Sequence, residues 1–133
     1  HNFGEGLAIG AAVGLGEVAF STFLLVGFAL HNTSEGFAIA APMAKGKPMI
    51  GKLVGMGLIA GTPAIFGAWI GGFAYSPFTA IVFLSIGSGV IFQVAMAILK
   101  WIRKKDDKFL ASASVVAGIA TGMLIMYITS ILV

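Results

Sequence analysis

HNFGEGLAIGA opens the chain, and HNTSEGFAIAA repeats it from residue 31. Seven of the eleven positions are identical, among them His1/His31, Asn2/Asn32, Glu5/Glu35 and Gly6/Gly36. On an α-helix, residues four apart lie nearly on one face, about 6 Å along the axis. Each copy therefore directs an imidazole and a carboxylate the same way, with an amide one residue round the turn. Two such helices facing each other would bring His1, Asn2, Glu5, His31, Asn32 and Glu35 to one point. Neutral imidazole suits Zn²⁺ and other borderline first-row ions, and carboxylate and amide oxygens widen the range towards Fe²⁺, Mn²⁺ and Cd²⁺. The expected chemistry is reversible binding of a divalent cation.

The elements that must position these groups are membrane helices. The chain is 59% hydrophobic and 10% charged, with a mean hydropathy of +1.04, far from a soluble domain. Four stretches reach the roughly 20 apolar residues that a hydrocarbon core requires: about Val18–Ala44, Met49–Phe73, Phe78–Leu99 and Phe109–Val133. His1 to about Gly14 reads as the back half of a fifth span, since fourteen residues reach only about 21 Å. The expected fold is an all-α polytopic bundle, residues 1–133 forming a single transmembrane domain whose N-terminal helices are missing. No signal-peptide pattern is present, and the lack of Cys removes disulfides and thiolate ligands.

All eight basic residues fall in two connections, residues 45–52 (Lys45, Lys47, Lys52) and 100–108 (Lys100, Arg103, Lys104, Lys105, Lys108). The alternate connections, around Glu17 and around Tyr75–Pro77, carry none. Alternating helices put the two basic loops on one side, and the positive-inside rule makes that side cytoplasmic. The pI of 9.5 follows from this asymmetry. No basic stripe is interleaved with stacking aromatics, so nucleic acid is not an expected partner. The bilayer is.

Ionisable groups at membrane depth are costly and mark function by default. Glu5 and Glu35 are the intramembrane carboxylates, and a bound dication offsets the cost of holding both ionised. Other features read more plainly. Glu17 favours a helix N-terminus, the six Met are packing, and Asp106 and Asp107 are solvated charges among lysines. Gly10/Gly14, Gly51/Gly55, Gly57/Gly61, Gly67/Gly71 and Gly118/Gly122 have the small-xxx-small spacing that lets membrane helices approach closely. Pro63 is expected to kink its helix beside Thr62.

With the two HNxxEG motifs in view, the chain resembles the ZIP (Zrt/Irt-like) family of divalent-metal transporters, in its GufA-like prokaryotic branch. GLIAGTPAIFGAWIGG, GSGVIFQVAMAIL and GIATGMLIMYI are similar to that family's sixth, seventh and eighth helices. The resemblance covers the whole chain, as helices four to eight of an eight-helix transporter. It implies a mid-membrane site carried by His1, Asn2 and Glu5 with His31, Asn32 and Glu35, and metal movement towards the cytoplasm by alternating access. A prokaryotic inner membrane, the helices missing from this chain and a homodimer are the surroundings it implies, with the metal as substrate and no cofactor. Many relatives carry a Glu before the sixth-helix Pro. Thr62 stands there, so one ion per subunit is expected. The rival reading is a membrane-embedded metalloenzyme. HExxH is absent and no Ser or Cys nucleophile accompanies a base, so no enzymatic activity is expected.

Overall fold

The computed structural model describes residues 1–45, 50–73, 76–105 and 112–133. It is an all-α membrane helix bundle. Helix α1 spans Asn2–Gly14, α2 Val18–Ala40, α3 Ile50–Gly71, α4 Pro77–Lys105 and α5 Ala113–Leu132, with a 3₁₀ segment at Ala41–Lys45. Among the described residues, three helices are long and apolar enough to cross a membrane: α3, α4 as far as Lys104, and α5. The fourth expected span corresponds to α2, a helix over Val18–Ala40. At 23 residues α2 has the length, but His31 to Glu35 interrupts its apolar run. Helix α1, at 13 residues, spans only about 20 Å.

The core is inverted relative to a soluble protein. Leu7, Ala8, Ala11, Ala12 and Ala80 form its buried apolar part, whereas Ile50, Phe78 and Leu132 are exposed. Small residues are inside because α1 is the centre of the bundle, packing against α3, α4 and α2. A Cβ built at Gly6 would strike the carbonyl oxygen of Ala64, and one at Gly10 that of Ala68. From the other side, Gly67 lies against Phe3 and Gly71 against Leu7. The contact is reciprocal, glycines of each helix receiving the backbone of the other. Lipid tails are as apolar as leucine, so close van der Waals packing, not burial of greasy side chains, holds such helices together.

The expected pairing at Gly67/Gly71 is therefore real, but Gly10 acts with Gly6. Among the described residues, nothing lies within 4 Å of a Cβ added at Gly51, Gly55, Gly57, Gly61, Gly118 or Gly122. Spacing identifies a face that permits close approach, and only the neighbouring helix decides whether it happens. Pro63 sits inside α3, which is assigned as one continuous helix through it.

Helix α1 ends in a Schellman turn. Glu17 N–H donates to Ala12 O at 3.0 Å and Gly16 N–H to Val13 O at 2.9 Å. Gly16 has φ +76°, the left-handed geometry that this cap requires and that glycine adopts without a Cβ clash. Glu17 is the N-cap residue of α2, with no side-chain capping bond, so its backbone position matches the expectation and its carboxylate does not cap.

The second basic segment is less a loop than a helix end. Lys100, Arg103 and Lys104 lie in the last turns of α4, where cations favour the negative end of the helix dipole. Lys45 ends the 3₁₀ segment and Lys52 lies in the first turn of α3. Lys47, Tyr75, Asp106, Asp107 and Lys108 lie outside the described residues.

Candidate metal centre

The cap at Gly16 turns α1 into α2, and the two helices form an antiparallel hairpin. His1 Nε2 lies 3.1 Å from Glu35 Oε2, and His31 Nε2 lies 3.4 Å from Glu5 Oε1. The imidazole of each motif thus meets the carboxylate of the other, one helical turn apart along the hairpin. The two rings are edge-to-face with centroids 5.5 Å apart.

His1, Glu5 and His31 each place one ligand-type atom within 4.8 Å of the others. Ligand atoms arranged tetrahedrally at about 2.1 Å from Zn²⁺ stand about 3.4 Å apart. The His31–Glu5 separation of 3.4 Å already has that value. It is an ion-pair distance and not a hydrogen bond: Glu5 Oε1 and His31 Nε2 are buried and neither has a hydrogen-bond partner among the described residues. Buried polar atoms left unpaired are expensive. Two facing ones, on a carboxylate and an imidazole, fit a cation between them.

Glu5 is the centre of the cluster and is 1% exposed. Its second oxygen, Oε2, accepts a 3.0 Å hydrogen bond from Asn32 Nδ2, which also donates to Phe28 O at 2.9 Å. Asn32 therefore orients the carboxylate while leaving Oε1 for an ion. Asn2 faces the other way and donates from Nδ2 to Ala60 O at 2.7 Å, tying α1 to α3. Glu35 joins through His1, whose ring it fixes. Five of the six residues expected at one point meet there, His1, Glu5 and His31 as the inner group with Glu35 bonded to His1 and Asn32 to Glu5, whereas the Asn2 side chain turns to α3. Outer groups of this kind typically tune metal affinity 10- to 100-fold. Asn32→Ala is accordingly expected to weaken metal binding by about 10- to 100-fold without loss of fold, read by equilibrium titration. An unchanged isotherm would mean that Glu5 needs no orienting bond.

Thr62 does not face this cluster. It lines a shallow apolar groove with Phe3, Leu58, Pro63 and Phe66, whereas Asn2 and Asn32 share a cleft with Ala60, Gly61 and Ala64. Each helical residue turns 100°, so one or two positions move a side chain to the opposite face. Thr62 is therefore not placed to contribute a ligand beside this cluster. What the sequence did not disclose is the role of the Ala60 carbonyl, since a backbone acceptor carries no residue-type signal.

No protein-family model matches this chain, and no curated protein or solved structure matches it either.

Proposed function

We propose that the protein is a divalent-metal transporter, carrying Zn²⁺ or a similar ion such as Fe²⁺, Mn²⁺ or Cd²⁺ through the membrane by way of the His1–Glu5–His31 cluster. The observation that carries this reading is the convergence of the two imidazoles on the buried carboxylate of Glu5, with Glu5 Oε1 and His31 Nε2 buried and unpartnered among the described residues. A dication in this cluster is balanced by the charges of Glu5 and the nearby Glu35, which matters because an uncompensated buried charge costs several kcal/mol. Imidazole and carboxylate together form a permissive set, so availability and geometry select the metal. The ion is the substrate, and no chemistry is done on it. Metal movement is towards the cytoplasm, and the site is exposed to each face in turn.

The orientation that goes with this reading has the ends bearing Lys45, Lys52, Lys100, Arg103 and Lys104 in the cytoplasm. A cysteine placed at Lys104 is expected to react with an impermeant thiol reagent only from the cytoplasmic side, and one at Glu17 only from outside. Residues 1–133 contain no Cys, so within them each label reports one position. Labelling of position 104 on intact cells would reverse the orientation.

The deciding experiment is uptake of Zn²⁺, Mn²⁺ and Cd²⁺ into proteoliposomes containing an indicator dye, alongside equilibrium binding. Saturable uptake with binding is expected. Binding without uptake would make the cluster a static site and sink the transport reading. Affinity is expected to rise with pH, because both ligand types bind metal in their deprotonated forms.

A further inference from the structure

Two of the three inner residues are held by hydrogen bonds. Glu35 holds His1 at 3.1 Å, and Asn32 holds Glu5 at 3.0 Å. No such bond reaches His31 Nε2 among the described residues. The aim of this ring at Glu5 must therefore come from packing. That matters for a metal site, because contacts outside the ligand set ordinarily fix the orientation of a ligating imidazole.

Helix α5 supplies such a contact. At Gly27, one turn before His31, an added Cβ would lie 2.9 Å from Met126 Cε and 3.4 Å from Met126 Sδ. The end of the methionine is thus seated in the notch that a missing side chain leaves on α2. None of the residues of α5 is buried, and the helix packs against α2. Ala19, Phe20 and Phe23 at the start of α2 share a cavity with Ser130 and Val133 at the end of α5. With Gly27 opposite Met126, the two helices run antiparallel.

Helical side chains lean towards the N-terminus of their own helix. His31 accordingly leans back over the Gly27 turn. Met126, on a helix that runs the other way, leans from Gly27 towards His31. Both line one cavity of about 270 Å³, together with Phe28 and Ile91. His31 is the only ionisable residue among those that line it.

We propose that Met126 is a positioning residue of the metal site: its thioether end, seated at Gly27, backs the His31 imidazole and keeps Nε2 turned to Glu5. This rests on reading the cluster as a metal site. An unbranched thioether suits the role, since it fills irregular space and packs favourably at a ring edge. Met123, three residues earlier on α5, is 70% exposed and has no part in it. Helix α5 thereby acts on the site without supplying a ligand.

Zn²⁺ titration of Met126→Ala, Met126→Leu and Met123→Ala tests the assignment. Met126→Ala is expected to weaken affinity about tenfold, the lower end of what contacts outside the ligand set contribute. Met126→Leu, which keeps the bulk, and Met123→Ala are expected to stay within threefold of the unmodified protein. In a His31→Ala background, Met126→Ala is expected to cost less than threefold further, because the ring it backs is gone. A general structural role would give the same loss in both backgrounds. An undiminished loss there, or no loss in the single variant, overturns the proposal.

A second measurement uses the unmodified protein with ¹³C-labelled methionine methyl groups, and it decides alone where a variant does not fold or binds too weakly to measure. The Met126 methyl resonance is expected to shift on saturation with Zn²⁺, and that of Met123 to stay in place. A Met126 signal indifferent to bound Zn²⁺ overturns the proposal and leaves the proposed function standing. No Zn²⁺ binding by the unmodified protein overturns the proposed function, and with it the role of Met126 at a metal site.

Discussion

Glu5→Gln is expected to lower metal affinity at least 100-fold, which corresponds to about 2.7 kcal/mol, and to abolish uptake. The amide keeps the shape of the side chain and retains an acceptor for Asn32 Nδ2, so the hairpin and its packing persist. What disappears is the anionic oxygen 3.4 Å from His31 Nε2. A neutral amide oxygen is a weaker ligand for a borderline dication, and a dication left short of one negative charge in a low dielectric is strongly disfavoured. Glu5 is the most sensitive position because it is 1% exposed, and water cannot replace its charge. Glu35, partly exposed and bonded to His1, is expected to lose less on the same change. Isothermal titration of both variants, with uptake beside it, checks the order. A Glu5→Gln protein that binds within threefold of the original would remove Glu5 from the ligand set.

Gly6→Leu is expected to have the largest structural effect of any single apolar substitution. A Cβ at this position meets the carbonyl oxygen of Ala64, with Ala68 N at 2.8 Å. These are backbone atoms of α3 and cannot swing aside as a side chain can. Overpacking a well-filled core costs about 1–3 kcal/mol even where side chains yield, and here two helices must separate. Separation would also break the bond from Asn2 to Ala60 O and displace Glu5, the neighbouring residue on α1. Loss of metal binding is expected together with a fall of several degrees or more in the unfolding temperature. Gly55→Leu, made on an open face of α3, is expected to change neither. A Gly6→Leu protein with unaltered melting and binding would show that the close α1–α3 approach is not what carries the site.

The helical class, the apolar character of α3, α4 and α5 and the identity of the polar residues at the site all follow from the sequence. The reasons are local: a backbone in lipid must satisfy its own hydrogen bonds, which leaves helices, and a carboxylate in such a run needs a partner. The repeat named His1, Asn2, Glu5, His31, Asn32 and Glu35 because identical polar groups at identical spacing are improbable in a lipid-facing helix. Spacing within one helix, however, says nothing about the helix beside it. That His1 meets Glu35 while His31 meets Glu5 comes from the reversal at Gly16, which sets two copies of a forward repeat head to tail. That Asn32 holds Glu5 while Asn2 binds α3, that Thr62 looks away, and that Gly57 and Gly61 border open space while Gly67 and Gly71 receive a backbone, were decided by tertiary packing alone. Each depends on which face of a helix meets which neighbour, and that choice is made by contacts among residues far apart in the chain.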